Sequence, residues 1–119
     1  MTPKKILVID DEPDMVAGLQ AFLEDNGYET CSAFDGKEGM EVLKKESPDL
    51  VTLDLQMPKD TGTRFYRNMT KSTEFQDVPV IIISGLPGRH LAARNPFAVF
   101  EKPIDRNKLL AKIKEALGE

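Results

Sequence analysis

The stretch that decides the fold is ILVIDDEPD at residues 6–14, in which an apolar run ends directly in acidic residues. The run Ile6–Ile9 lacks polar alternation, which is typical of a strand buried on both faces of a parallel sheet. Similar apolar runs occur at residues 50–53 and 80–83 and, more weakly, at residues 97–100, and residues 28–33 also read as a strand. The sequence therefore predicts five short strands.

Apolar residues between these runs recur at helical spacing. Pro13 and Gly27 suit the start and the end of a first helix, and a second helix follows the Asp35-Gly36 turn. A third helix is predicted over residues 62–71 and a last one over residues 105–117. Three helix-breaking residues (Pro87, Gly88 and Pro96) leave only residues 89–94 for a further helix, which we expect to be shortened or irregular. This alternation predicts an α/β fold, a doubly wound parallel sheet with helices on both faces.

Length and charge narrow the class of protein further. The 119 residues predict one domain spanning residues 1–119. Sixteen cations against twenty acids give a net charge of −4, which argues against a broad basic surface for nucleic acid. Cys31 is the single cysteine, and no apolar run approaches the roughly 18 residues of a membrane span. We expect a soluble, cytoplasmic domain that binds neither nucleic acid nor membrane.

Polar side chains follow the predicted strands, at the sheet edge where doubly wound folds bind ligands. They are Asp10, Asp11 and Glu12 after the first run, Asp54 after the third, Ser84 after the fourth and Lys102 after the last. Two carboxylates about 4 Å apart repel by roughly 4 kcal/mol at an effective dielectric of 20, so this cluster requires a cation, raised pKa values or wide separation. A site of oxygen ligands with only one or two direct carboxylates suits Mg²⁺, which often binds a phosphate oxygen as well. Asp54, alone at the end of the central run, suits attack on phosphorus, while Lys102 and Ser84 suit binding of phosphate oxygens.

Four segments together resemble the receiver domain of two-component response regulators, in its single-domain form and over essentially the whole chain. They are ILVIDDEPD, LVTLDLQMPKDTG, PVIIISG and FEKP. The resemblance implies the flavodoxin-like strand order 2-1-3-4-5, as in chemotaxis regulators. It also implies a phosphoacceptor that is not an enzyme, and a phosphodonor that is a sensor histidine kinase or a histidine phosphotransfer protein.

The resemblance also assigns roles to individual positions. Asp10 and Asp11 correspond to the acidic pair that holds Mg²⁺, and Asp54 corresponds to the phosphoacceptor, which also contacts the metal. Ser84 and Lys102 correspond to the hydroxyl and the lysine that meet the phosphoryl group. The family further implies that the backbone carbonyl of Gln56 is a metal ligand and that the Lys102–Pro103 peptide is cis.

Two departures from the family pattern concern the readout of phosphorylation. Receiver domains usually have Tyr or Phe three residues before the lysine, where this chain has Val99, with Phe100 on the opposite face of the strand. The segment between Ser84 and Lys102 is also several residues shorter than usual. We therefore expect phosphorylation to act mainly on residues 84–95.

Three alternatives remain open from the residues alone. In the first, the acids after the first run only cap a helix. A small Mg²⁺-dependent phosphohydrolase using Asp54 as a turnover nucleophile is disfavoured, because the enzymes it would resemble carry a spaced Asp-x-Asp pair and a cap domain. A receiver-like scaffold that acts without phosphorylation would be expected to have lost an acid or the lysine, and none is lost.

Overall fold

The computed structural model describes residues 3–57, 61–84 and 96–119. Five parallel strands form one sheet in the order β2-β1-β3-β4-β5. The strands are β1 (Lys5–Ile9), β2 (Glu29–Ala33), β3 (Leu50–Asp54), β4 (Val80–Ser84) and β5 (Ala98–Glu101). The predicted fold class and strand order are confirmed. The last strand begins one residue later than the apolar run suggests, because Phe97 lies outside it and is 41% exposed.

Four helices connect or follow the strands: α1 (Pro13–Asp25), α2 (Gly36–Glu46), α3 (Thr61–Lys71) and α4 (Arg106–Ala116). Capping aspartates begin two of them. The Asp35 carboxylate accepts a hydrogen bond from the α2 backbone, and Asp105 caps α4 in the same way. The predicted shortened helix at residues 89–94 lies outside the described residues. None of the described helices is long and apolar enough to cross a membrane.

The sheet separates two apolar layers. One contains buried side chains of α1 and α4, and the other contains those of α2 and α3. Alternation along β3 directs Leu53 toward the α2–α3 layer and Leu50 toward the α1–α4 layer. In β5, Val99 packs against the α2–α3 layer and Phe100 against the α1–α4 layer, so the two side chains lie on opposite faces as predicted.

One buried polar group interrupts this apolar packing. Thr52 lies in the middle of β3 and is 1% exposed, and its hydroxyl has no hydrogen-bond partner among the described residues. By contrast, the hydroxyl of Thr30 on the edge strand β2 accepts a hydrogen bond from Gln20 and donates one to Glu24. A buried hydroxyl without a partner costs free energy that an apolar side chain of the same shape avoids.

We therefore expect Thr52→Val to raise the free energy of unfolding by about 1 kcal/mol, because it removes a desolvated hydroxyl without creating a cavity. Thr30→Val should lower it or leave it unchanged, because that hydroxyl is hydrogen-bonded. Urea unfolding followed by circular dichroism compares the two variants. Loss of stability in Thr52→Val would show that the hydroxyl is satisfied.

Candidate functional site

The carboxyl edge of the sheet collects the polar residues that the sequence places after its strands. Asp10 directly follows β1, Asp54 ends β3, Ser84 ends β4 and Lys102 directly follows β5. Because these four strands are neighbours in the sheet, their ends converge. The described part of the chain buries four polar or charged residues: Asp10, Thr52, Asp54 and Ser84. Three of the four lie at this edge.

Among the described residues, one ammonium group lies among the carboxylates of this edge. Lys102 Nζ is 3.3 Å from Asp54 Oδ2, 3.8 Å from Asp10 Oδ2 and 3.8 Å from Glu12 Oε1. A backbone hydrogen bond to the end of β4 fixes the position of the lysine, because the Lys102 N–H donates to the Ser84 carbonyl over 3.0 Å. The Lys102–Pro103 peptide is cis, as the family resemblance implies. The lysine thus supplies the positive charge that allows Asp54 and Asp10 to be buried side by side.

The two buried aspartates are oriented by the same local hydrogen bond. Asp54 Oδ1 accepts from the backbone N–H of Gln56 over 2.9 Å, and Asp10 Oδ1 accepts from that of Glu12 over 3.0 Å. A bond to the backbone two residues ahead is the usual Asx-turn geometry. In both aspartates the other oxygen, Oδ2, faces Lys102. The bond from the Gln56 N–H holds the backbone of Gln56 close to the Asp54 carboxylate, while the metal-ligand role of the Gln56 carbonyl stays a prediction.

Three acids at the start of α1 form a group suited to a metal ion. Asp10, Asp11 and Glu12 each offer one carboxylate oxygen, and these oxygens lie within 4.8 Å of one another. An all-oxygen donor set of this kind fits Mg²⁺. Simple helix capping does not explain the group, because Glu12 occupies the N-cap position of α1 and its side chain makes no capping hydrogen bond. The sequence singles out Asp10 and Asp11 but gives no role to Glu12, although its place beside the acidic pair is a usable signal.

Burial determines the protonation of Asp10. Removal from water raises the pKa of Asp10 to about 6, and the neighbouring Asp54 carboxylate also raises it, while the hydrogen bond from Glu12 N–H and the charge of Lys102 oppose the rise. An unfolded aspartate releases its proton near pH 3.9. The folded protein therefore holds a proton that the unfolded chain has already lost, so this group lowers stability as the pH rises from about 4 to about 6.

We expect Asp10→Asn to stabilise the metal-free protein above pH 6 by about 1 kcal/mol and to have little effect near pH 4, because the wild-type carboxyl is protonated there. The same variant should bind Mg²⁺ more weakly. Urea unfolding with a chelator at both pH values measures the first effect, and Mg²⁺ titration measures the second. Asp14→Asn, which changes an exposed acid in the first turn of α1, is the matched control. Equal stability changes at the two pH values would contradict the account.

The fold and this edge define a doubly wound α/β protein with an acidic, lysine-containing site at the ends of its strands. Residues 6–114 match the response regulator receiver domain family. Protein Rrf1 of Nitratidesulfovibrio vulgaris is 34% identical over 98% of this chain and 84% of its own length. Protein PilH of Pseudomonas aeruginosa is 32% identical over 96% of this chain and 98% of its own.

Solved structures agree with this relationship. A CheY-like response regulator receiver domain protein from Methanospirillum hungatei superposes with a TM-score of 0.84 at 26% identity, covering 98% of this chain and 95% of the other. The chemotaxis response regulator CheY4 of Vibrio cholerae shares the fold with a TM-score of 0.87 at 24% identity, covering 98% of this chain and the whole of that one. The chain belongs to the receiver domain family of two-component response regulators. Members of this family are phosphoacceptor signalling modules that bind Mg²⁺ at an acidic site and receive phosphate from histidine kinases.

Proposed function

We propose that Asp54 is the phosphoacceptor of this receiver domain and that its phosphorylation switches the binding of a protein partner. The observation that carries the proposal is the position of Lys102 Nζ, 3.3 Å from Oδ2 of an acceptor carboxylate that is 1% exposed. A surface aspartate in a turn would have no such counter-ion. An aspartate that is buried at the ligand-binding edge and paired with an ammonium group suits nucleophilic attack on phosphorus.

The proposed metal ligands are the carboxylates of Asp10, Asp11 and Asp54 and the backbone carbonyl of Gln56. The acidic group at the start of α1 supports this set, because its oxygens are close enough to share one cation. Bound Mg²⁺ would neutralise charge on the phosphoryl oxygens. Glu12 lies in the same group and more than half of its side chain is exposed, so it is accessible to a water molecule of the metal.

The proposed reaction transfers a phosphoryl group from a phosphohistidine of the donor protein to Asp54. A carboxylate oxygen of Asp54 forms a bond to phosphorus, the phosphorus–nitrogen bond breaks, and the histidine nitrogen retains the electron pair and takes up a proton. Lys102 exchanges its contacts with carboxylates for a contact with a phosphoryl oxygen. Ser84, buried at the end of the adjacent strand, donates its hydroxyl to another phosphoryl oxygen. The donor is a sensor histidine kinase or a histidine phosphotransfer protein.

The two alternative functions are less well supported. The phosphohydrolase would resemble enzymes with a spaced Asp-x-Asp pair after the first strand, whereas Asp10 and Asp11 are adjacent here. The phosphorylation-independent scaffold would not need to keep a buried carboxylate paired with an ammonium group. A protein that retains both is better explained as a phosphoacceptor.

The test is the intact mass of the protein after incubation with Mg²⁺ and acetyl phosphate. We expect wild type to gain one phosphoryl group that is stable in acid and lost in base, and Asp54→Asn to gain none, because the amide cannot form an acyl phosphate. Asp14→Asn, which removes an exposed acid from the first turn of α1, should be phosphorylated like wild type. Phosphorylation of Asp54→Asn at the wild-type rate would disprove the assignment.

A further inference from the structure

Helix α3 carries an unbalanced positive charge. Its cations are Arg64, Arg67 and Lys71, and it contains no acidic residue. All three cationic residues are exposed. Because α3 contributes +3 to a whole-chain charge of −4, the rest of the chain carries −7. The helix is therefore a cationic surface on an otherwise acidic protein.

This charge is not neutralised within the described structure. The ion pairs among the described residues involve Lys5, Lys102 and Lys112, and none involves a residue of α3. Helix α1, which carries acids and no basic residue, packs on the opposite face of the sheet. Exposed cations that lack an internal partner remain available to an external anionic group.

An apolar groove runs beside the same helix, and we call it the α2–α3 groove. It encloses about 370 Å³ between α2 and α3. Met40 and Phe65 contribute apolar walls, while Lys37 and Arg64 line it from the two helices. Glu41 is the acidic residue of its lining. The groove thus places apolar contact area next to the cations of α3, an arrangement that suits the two faces of an amphipathic segment.

We propose that the α2–α3 groove and the adjoining face of α3 form a docking surface for an acidic, amphipathic segment of a partner protein. Apolar side chains of that segment occupy the groove beside Met40, and its carboxylates pair with Arg64 and Arg67. Nucleic acid fits less well, because three cations neutralise few phosphates. The apolar groove also offers nothing to a phosphate backbone.

The structure connects this surface to the candidate phosphoacceptor through two close backbone contacts. A Cβ atom added at Gly62, in the first turn of α3, would lie 2.6 Å from the Asp54 carbonyl oxygen. A Cβ atom at Gly36, in the first turn of α2, would collide with the Thr61 carbonyl. The first turn of α3 therefore packs directly against the backbone of Asp54, and the first turn of α2 packs directly against the first residue of α3. If the proposed phosphorylation displaces the Asp54 backbone, the α2–α3 groove changes shape with it. This regulation rests on the proposed function, whereas the docking surface itself does not.

The test uses a synthetic helical peptide of about 18 residues with Leu at i, i+3, i+4 and i+7 spacing and Glu elsewhere, titrated into isotope-labelled protein at low salt and followed by amide chemical shifts. We expect the shifts to concentrate in residues 36–41 and 61–71. Arg64→Glu with Arg67→Glu should weaken binding at least tenfold. Lys108→Glu with Lys114→Glu makes the same charge change at exposed positions of α4 and should weaken it less than twofold.

Several results would overturn the docking surface. Absence of binding, shifts centred outside the two helices, or equal weakening by the α4 control would each do so. A peptide with Ser in place of Leu that binds equally well would exclude the groove. Tighter binding of a DNA duplex to α3 would identify a nucleic-acid surface instead, and loss of self-association in the α3 variant would identify a second copy of this chain as the occupant.

A separate titration in the presence of Mg²⁺ and beryllofluoride, a phosphoryl mimic, tests the coupling. We expect peptide affinity to change at least twofold in wild type and not in Asp54→Asn. An unchanged affinity in wild type would remove the coupling and leave docking intact. Intact mass of the same protein preparations after separate incubation with Mg²⁺ and acetyl phosphate shows independently whether the proposed acceptor functions.

Discussion

The contact on which the site depends is the position of one ammonium group among three carboxylates. Lys102 lies within 4 Å of oxygens from Asp54, Asp10 and Glu12. Two of these acids are buried, and like charges repel more strongly in such a low-dielectric site than in bulk water. Burial first, and then the Asp54 carboxylate, raise the pKa of Asp10, and the charge of Lys102 opposes the rise without outweighing it. The negative charge that the lysine does not neutralise would attract a divalent cation. A phosphoryl group would then contact both that cation and the Lys102 ammonium group.

The topology explains why these groups meet. Strands β1, β3 and β4 are largely apolar and end in, or lead directly to, a polar residue, and parallel pairing brings those ends to one edge. Burial of the sheet on both faces excludes water below the edge, so Asp54 sits at the boundary between a dry core and an open site. Thr52, two residues earlier on β3, is a polar residue buried within that core, and its hydroxyl has no hydrogen-bond partner among the described residues.

The sequence predicts the fold well because the deciding information is local. Unbroken β-branched runs such as Val80–Ile83 specify buried strands, and Asp105 caps α4 where its position suggests. Side-chain contacts between distant segments are harder to predict. Glu12 resembles a helix cap in sequence, but its carboxylate faces Lys102, which is 90 residues away in the chain and near it only after the sheet assembles. The α2–α3 groove likewise depends on the close approach of Gly36 to Thr61, which no local pattern reveals.

The most direct measurement of the central claim is the chemical location of the phosphoryl group. Protein incubated with Mg²⁺ and acetyl phosphate is treated with borohydride, which reduces an aspartyl phosphate to homoserine, and is then digested and sequenced by mass spectrometry. The account predicts homoserine at position 54 only in the samples that contained both Mg²⁺ and donor. Homoserine at another aspartate, or none in protein that has gained a phosphoryl group, would contradict it.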